Sequence, residues 1–282
     1  MQDSSVAPRR RRLLKSGALS VALAAAGSPR AEAAAAARPD RALWISWYDL
    51  PEDGRERYLA WLYGRFIPMI TKQAGVITAA HYATVERSNV RTIRRDDAKD
   101  ARLDPSVPGG NRYILIVAAE HANIFGNALP LVQRLGLSQD DAKMLALKAG
   151  ERVNIMVEAA RVDGPETPAG TDAVSFSPCI QLGSFNCAYE DQDEVLAWYA
   201  QSRMPAMATL PGSVRTRLLA SVSGWAKQAI LYEFTSLQAR NTHYLRLEDG
   251  KPDMKAWSDR IVPKLIHAPG SSNLAQRIWP AV

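Results

Sequence analysis

Residues 59–85 read LAWLYGRFIPMITKQAGVITAAHYATV, and residues 196–222 read LAWYAQSRMPAMATLPGSVRTRLLASV. Aligned without a gap at an offset of 137, the two stretches are identical at Leu59/Leu196, Ala60/Ala197, Trp61/Trp198, Pro68/Pro205, Gly75/Gly212, Ala83/Ala220 and Val85/Val222. The matches fall on a helix face, a helix-ending proline and a turn glycine, positions with structural jobs. The chain therefore reads as one supersecondary unit used twice.

Working outward, the same offset holds upstream. Leu43 and Ile45 of a strand at Ala42–Tyr48 fall on Ile180 and Leu182 of a strand at Cys179–Phe185, which keeps one alternating apolar face. Asp53-x-x-Glu56 and Asp191-x-x-Glu194 look like capping boxes at the helix starts. Second strands are expected at Val76–Val85 and Val214–Val222, and third strands at Tyr113–Glu120 and Ala229–Thr235. Helical stretches are expected at Phe125–Ala149 and Leu237–Lys264. Arg152–Ala160 supplies a fourth strand, and the region after Leu265 its weaker counterpart. The order βαββαβ, read twice, is the ferredoxin-like plan. It divides the chain into unit one (42–160, with a charged insert at 87–110 read as a solvated hairpin extension or a lid), a linker (161–174, including the Gly/Pro-rich 164–170) and unit two (175–282).

The N-terminal residues read as an address. Arg10-Arg11-Arg12-Leu13-Leu14-Lys15 fits the twin-arginine pattern, an apolar run follows, and Ala31-Glu32-Ala33 is a small-x-small cleavage site. The expectation is a signal peptide over 1–33, recognised by the twin-arginine translocase, and a periplasmic or secreted mature chain without a membrane span. These residues also carry most of the formal net charge of +6. The mature chain is close to neutral and offers no support for nucleic-acid binding. Cys179 and Cys187, on or beside one strand, would lie about 26 Å apart, too far for a disulfide, and read as free thiols.

Trp198-Tyr199, Arg203-Met204-Pro205, Leu210-Pro211-Gly212, the strand Val214-Arg215-Thr216-Arg217 and Leu231-Tyr232-Glu233 together resemble the dimeric α+β barrel superfamily, closest to its EthD and antibiotic-monooxygenase-like members. The resemblance implies an α+β fold in which two tandem ferredoxin-like units close an intrachain version of the dimeric barrel. The superfamily includes cofactor-free monooxygenases, isomerases, small decarboxylases and haem enzymes, so the fold does not choose a reaction. Many relatives carry His two residues before the helix-ending proline. Here Phe66 and Arg203 occupy those positions, and the Gly-x-x-Asp-Gly signature of dye-decolourising peroxidases is absent.

Among four histidines none has metal-ligand spacing. His81 lies on a strand where the second unit has Leu218. It reads as a general base or axial ligand facing a cavity between the sheets, or as a hydrogen-bonded core histidine. By the repeat symmetry, leucine at 81 should be tolerated. Arg215 and Arg217 alternate on one strand face and can hold a carboxylate or enolate if that face lines the barrel, or are solvated charges at an edge. Trp47, Tyr48, Tyr82, Trp198 and Tyr232 are candidates for an aromatic substrate wall, with core packing as the plainer reading. The functional expectation is an exported small-molecule-binding barrel. It would be a cofactor-independent oxygenase or isomerase for an aromatic or ketonic substrate, with a haem-binding peroxidase-like protein or a non-catalytic periplasmic binding protein as alternatives.

Overall fold

Leu43, Ile45 and Trp47 alternate along β1 (Ala42–Asp49) with Trp44, Ser46 and Tyr48, and both sets are buried. A strand covered on both faces must separate two packed layers. The remainder of the chain supplies them. The protein is represented by a computed structural model that describes residues 40–85, 102–103, 106–127, 129–168 and 176–281. The expected signal peptide and residues 86–101 of the insert lie outside the described residues.

After β1 come α1 (Arg55–Trp61), a π-helical turn (Leu62–Phe66), α2 (Ile67–Thr71), β2 (Val76–Thr84), the short β3 (Arg102–Leu103) and β4 (Tyr113–Ala119). Then α3 (Asn123–Gly126), a 3-10 turn (Leu131–Leu135), α4 (Gln139–Leu145) and the long β5 (Ala149–Asp163) complete the N-terminal half. The C-terminal half runs β6 (Cys179–Asn186), α5 (Gln192–Trp198), a π-helical turn (Tyr199–Arg203), α6 (Met204–Met207), β7 (Ser213–Ser223) and β8 (Gln228–Phe234). It ends with α7 (Leu237–His243), α8 (Pro252–Ile261), β9 (Ile266–His267) and β10 (Asn273–Trp279). The strands pair in the order β10-β2-β4-β1-β5-β7-β8-β6, and β6 returns to β10, so eight antiparallel strands close a barrel. Closure removes the open edges that a sheet of this size would otherwise expose. Leu43, Ile45, Ile116, Met156, Leu182 and Leu231 fill the interior, each contributing about 1.5–3 kcal/mol by leaving water. The opposite faces carry a helix layer in each half.

Positions 137 apart share local geometry. The two π-turns occupy equivalent residues, and β2 and β7 each carry a register shift, at Ile77 against β4 and at Val214 against β8. The prolines do not end the helices. A proline has no N–H to give and crowds the carbonyl four residues back. The wider π-turn before Pro68 and Pro205 relieves both conflicts, and the helix continues through α2 and α6.

Gly75 and Gly212 both have φ of +81°, a conformation that costs a residue with a Cβ about 1–2 kcal/mol. An added Cβ at Gly212 would meet Ala239 Cβ at 2.6 Å, whereas at Gly75 it would meet the flexible end of Ile124 at 2.4 Å. Ala239 has no side chain to turn aside. Gly212→Ala is therefore expected to lower stability in urea unfolding by about 2–3 kcal/mol, and more than Gly75→Ala does.

Four local expectations are corrected. Neither expected capping box forms: Gly54, not Asp53, is the N-cap of α1, and Asp191 is the N-cap residue of α5 but has helical backbone angles, makes no capping hydrogen bond and instead binds Lys264 at 2.7 Å. The capping box that forms is Ser138 with Asp141, at the start of α4. The long helical stretches are broken, the first between Pro130 and Gly136 and the second around Gly250 and Pro252, residues that terminate or start helices. The described end of the insert is not a free hairpin. Arg102–Leu103 pairs in parallel with Ile266–His267, and Val107 is buried. Finally, β5 runs through Asp163, and Gly164 and Glu166 donate backbone hydrogen bonds to Val214 and Ser213, so the segment read as a linker begins as part of the sheet. Both cysteines are free.

Candidate functional site

Successive strand residues point to opposite faces, and this separates side chains that the sequence reading grouped together. Trp47 and Tyr82 lie inside the barrel. Tyr48, the neighbour of Trp47, and His81, the neighbour of Tyr82, lie under the helix layer of the N-terminal half. Trp198 and Tyr232 pack under the helix layer of the C-terminal half. Arg215 and Arg217 follow the inward phase of Leu219 on β7. The five candidate aromatics do not wall one pocket, and His81 faces neither the barrel interior nor the two arginines.

His81 is fully buried. Its Nε2 is 2.9 Å from the Tyr48 hydroxyl and its Nδ1 is 2.8 Å from the Tyr63 hydroxyl. Burial, reinforced by the Lys148 charge, lowers the imidazole pKa to about 3, so the ring is neutral. A neutral imidazole has one N–H and one acceptor nitrogen, so one phenol donates to the ring and the other accepts from it. Tyr113 stacks on the ring with centroids 5.4 Å apart. Tyr48 is sealed from solvent; Tyr63 is half-buried and stacks on the half-buried Trp279 at 5.9 Å. The arrangement is a hydrogen-bonded row from the protein's rim to its interior.

Beside the sealed end, Lys148 Nζ sits 5.0 Å from the centre of the Tyr48 ring and donates to Glu151 at 2.8 Å. Ser46 donates to the same carboxylate oxygen at 2.5 Å. The lysine side chain is 3 % exposed, and burial lowers its pKa. This places an ammonium donor next to a phenol whose own pKa burial raises well above its usual value. The π-turn carries Tyr63 on the helix face above β2, and β1 carries Ser46 and Tyr48 on one face. The helix that presents Tyr63 is anchored by Asp141. That carboxylate accepts from Trp61 Nε1 at 2.8 Å and from Arg65 Nε at 2.6 Å, and the arginine holds it far below the usual carboxylate range, with Trp61 and Ser138 adding to the effect.

Inside the barrel, Arg217 donates to Asp40 at 2.5 Å and to Glu233 at 3.1 Å, and all three are buried. Glu233 also accepts from the Ser177 amide at 3.1 Å, and Asp40 from Arg161 at 2.6 Å. With its charge matched on two sides, Arg217 is a tie between strands and the chain preceding β1. At positions 137 earlier, Arg217 corresponds to Ala80 and His81 to Leu218. Glu233 pairs with Ile180 as Ala118 pairs with Leu43, so it corresponds to Ala118. On the equivalent strands β2 and β7 the two halves thus place these groups on opposite faces: His81 outward, under the helices, in the first, and Arg217 into the barrel in the second.

Tyr63, Lys148, Glu151, Ser46 and Asp40 were not singled out by the sequence reading. Glu233 carried the one usable signal, an isolated acid in the apolar strand AILYEFT with arginines on a candidate neighbour strand.

No family model and no curated protein matches the sequence. Among solved structures, an anthrone oxidase-like protein superposes with a TM-score of 0.56 at 12 % identity, over 86 % of this chain and 93 % of that one. A candidate monooxygenase of Fusobacterium nucleatum subsp. nucleatum superposes with a TM-score of 0.50 at 10 % identity, over 84 % and 92 % of the two chains. At these identities the likeness shows a shared fold. A closed sheet barrel backed by helices agrees with the dimeric α+β barrel superfamily that the sequence resembles.

Proposed function

We propose that this chain is an exported small-molecule-binding barrel, built by tandem duplication of a ferredoxin-like unit. In this reading it works as a cofactor-independent oxygenase or isomerase on an aromatic or ketonic compound, with the helix layer of the N-terminal half as its site. The observation that carries the reading is the neutral His81 held between two phenols. Because the ring cannot keep a second proton, a proton arriving at one nitrogen must be matched by one leaving from the other. The row Tyr63–His81–Tyr48 thereby lets the accessible phenol, Tyr63, give its proton to a ketone oxygen without charging the buried ring: Nδ1 of His81 replaces that proton, Nε2 takes the Tyr48 proton, and the Tyr48 phenolate is left beside the Lys148 ammonium. Such donation assists enolisation of the ketone, in which the carbon-bound proton passes to water, and enolisation is the step that an isomerase and a cofactor-free oxygenase have in common. Trp279, stacked on Tyr63, and Tyr113, stacked on His81, are half-buried rings that give the row aromatic surroundings, the setting in which an aromatic substrate would be read.

The solved anthrone oxidase-like and monooxygenase-type structures support an anthrone-like ketone as the first compound to try. Oxygen uptake and product formation with a panel of hydroxyaromatic ketones test the reading. Turnover that survives in both Tyr63→Phe and His81→Leu would defeat it. Haem does not fit the same place through His81, since both ring nitrogens are already hydrogen-bonded and neither is open to iron.

The duplication is supported by the shared strand order β5-β1-β4-β2 and β10-β6-β8-β7, by the equivalent π-turns and by the paired glycines. Export through the twin-arginine route rests on residues 10–15 and 31–33. Arg10→Lys with Arg11→Lys keeps the charge and is expected to leave the precursor in the cytoplasm, as read by fractionation and immunoblotting. Unimpaired export would mean that another route is used.

A further inference from the structure

A second place in the molecule has the makings of a binding site, independent of the first. The register shift at Val214 carries β7 into Arg215, which pairs with Glu233 on β8. Such bulges re-aim the side chains next to them. The Arg215 side chain is 4 % exposed. Its Nε is 3.4 Å from Asp163, its Nη1 is 4.0 Å from Glu233, beyond hydrogen-bond reach, and Nη1 has no hydrogen-bond partner among the described residues. Arg277 on β10 donates through Nη1 to the Phe176 carbonyl, while its buried Nε is likewise unpartnered among the described residues.

Both guanidiniums line one cleft of ≈ 310 Å³, whose apolar wall is formed by Phe176, Pro178 and Val214. The carboxylates beneath are already engaged, Glu233 by Arg217 and the Ser177 amide, Asp40 by Arg217 and Arg161. A buried N–H without an acceptor is costly, and here two arginines carrying such donors line the same space. The equivalent position in the other half is Thr78, so the feature belongs to the second half alone.

We propose that this cleft binds a small monocarboxylic acid with an apolar body, its carboxylate held between Arg215 and Arg277 and its ring or short chain laid against Phe176 and Pro178. Guanidinium groups match a carboxylate in charge and in hydrogen-bond geometry. The volume lies at the small end of ligand pockets, about 300–1,000 Å³, which suits a benzoate-sized molecule. Glu166 at the exposed rim and Asp163 beside Arg215 oppose a dianion such as phosphate.

Calorimetric titration of the full chain with sodium benzoate, at low ionic strength, tests the assignment. The expected result is saturable one-to-one binding, weakened at least tenfold by Arg215→Gln and by Arg277→Gln, with inorganic phosphate binding more weakly than benzoate. His81→Leu should bind benzoate as the wild type does, because that residue lies in another layer. Three results would overturn the proposal: no saturable benzoate binding, equal affinity in the arginine variants, or tighter binding of phosphate. Loss of benzoate binding in His81→Leu would also overturn it and move the molecule to the tyrosine–histidine row. If Arg215→Gln does not fold, Arg277→Gln, at a half-exposed position, decides the matter.

Discussion

His81→Leu is expected to lower turnover, or ligand binding, at least a hundredfold, the scale on which a positioned proton-transfer group contributes. Repeat symmetry alone argued that leucine at this position would be harmless to folding, because Leu218 occupies the equivalent place. The structure changes that expectation. Leucine would leave the Tyr48 hydroxyl buried without its partner, at a cost of about 1–3 kcal/mol, while the half-buried Tyr63 can turn its hydroxyl to water. Adding Tyr48→Phe to His81→Leu removes the orphaned hydroxyl and should recover most of the lost stability without restoring function. A stability loss that the second substitution does not relieve, with ligand binding intact, would make His81 a plain core residue.

The same ring gives a pH signature with a definite sign. Its folded pKa of about 3 lies below the unfolded value of 6.5, so below 6.5 the unfolded chain takes up a proton that the folded chain refuses. The stability contributed by the neutral ring is present above pH 6.5 and is lost as pH falls toward 3, by about 1.4 kcal/mol per unit. Urea unfolding at pH 7 and pH 4.5 should show the gap between wild type and His81→Leu narrowing by about 2–3 kcal/mol. An unchanged gap would mean that the imidazole titrates in the folded state as it does in water.

Glu233→Ala is expected to cost about 3–5 kcal/mol in urea unfolding, the usual penalty for stranding one member of a buried ion pair. Arg217 would keep only Asp40, and the Ser177 amide would lose its acceptor. The paired change Arg217→Met with Glu233→Leu removes both charges and should cost clearly less than Glu233→Ala, since an apolar pair of similar volume replaces the ions without their desolvation penalty. Asp40 retains Arg161 in that variant. Equal losses in the two variants would show that the carboxylate contributes through packing and not through charge.

Much of the architecture was legible because it depends on short-range rules. Alternation located β1, β4, β6 and β8 to within a residue or so, and the glycines at 75 and 212 marked the turns before β2 and β7. The prolines misled, because their effect on a helix depends on the turn before them, and a π-turn leaves no mark in the residue pattern. The capping boxes misled for a similar reason: Asp191 has the right spacing from Glu194 and stands at the N-cap of α5, yet the chain enters from a 3-10 turn, which gives that aspartate helical backbone angles and no capping hydrogen bond.

The candidate site was half legible. His81 stood out as a titratable ring on an apolar strand, but its partners come from β1 and from the helix above it, and Lys148 from the connection just before β5. Sequence alone determined that residues 47 and 48, or 81 and 82, must face opposite ways, since a pleated strand allows nothing else. Which of those faces became the inside was decided only by closure, when β5 paired with β7 and β10 with β2. Those pairings bring Arg217 against Asp40, 177 residues apart in the chain, and no local pattern reports on a contact whose two halves meet only after the barrel shuts.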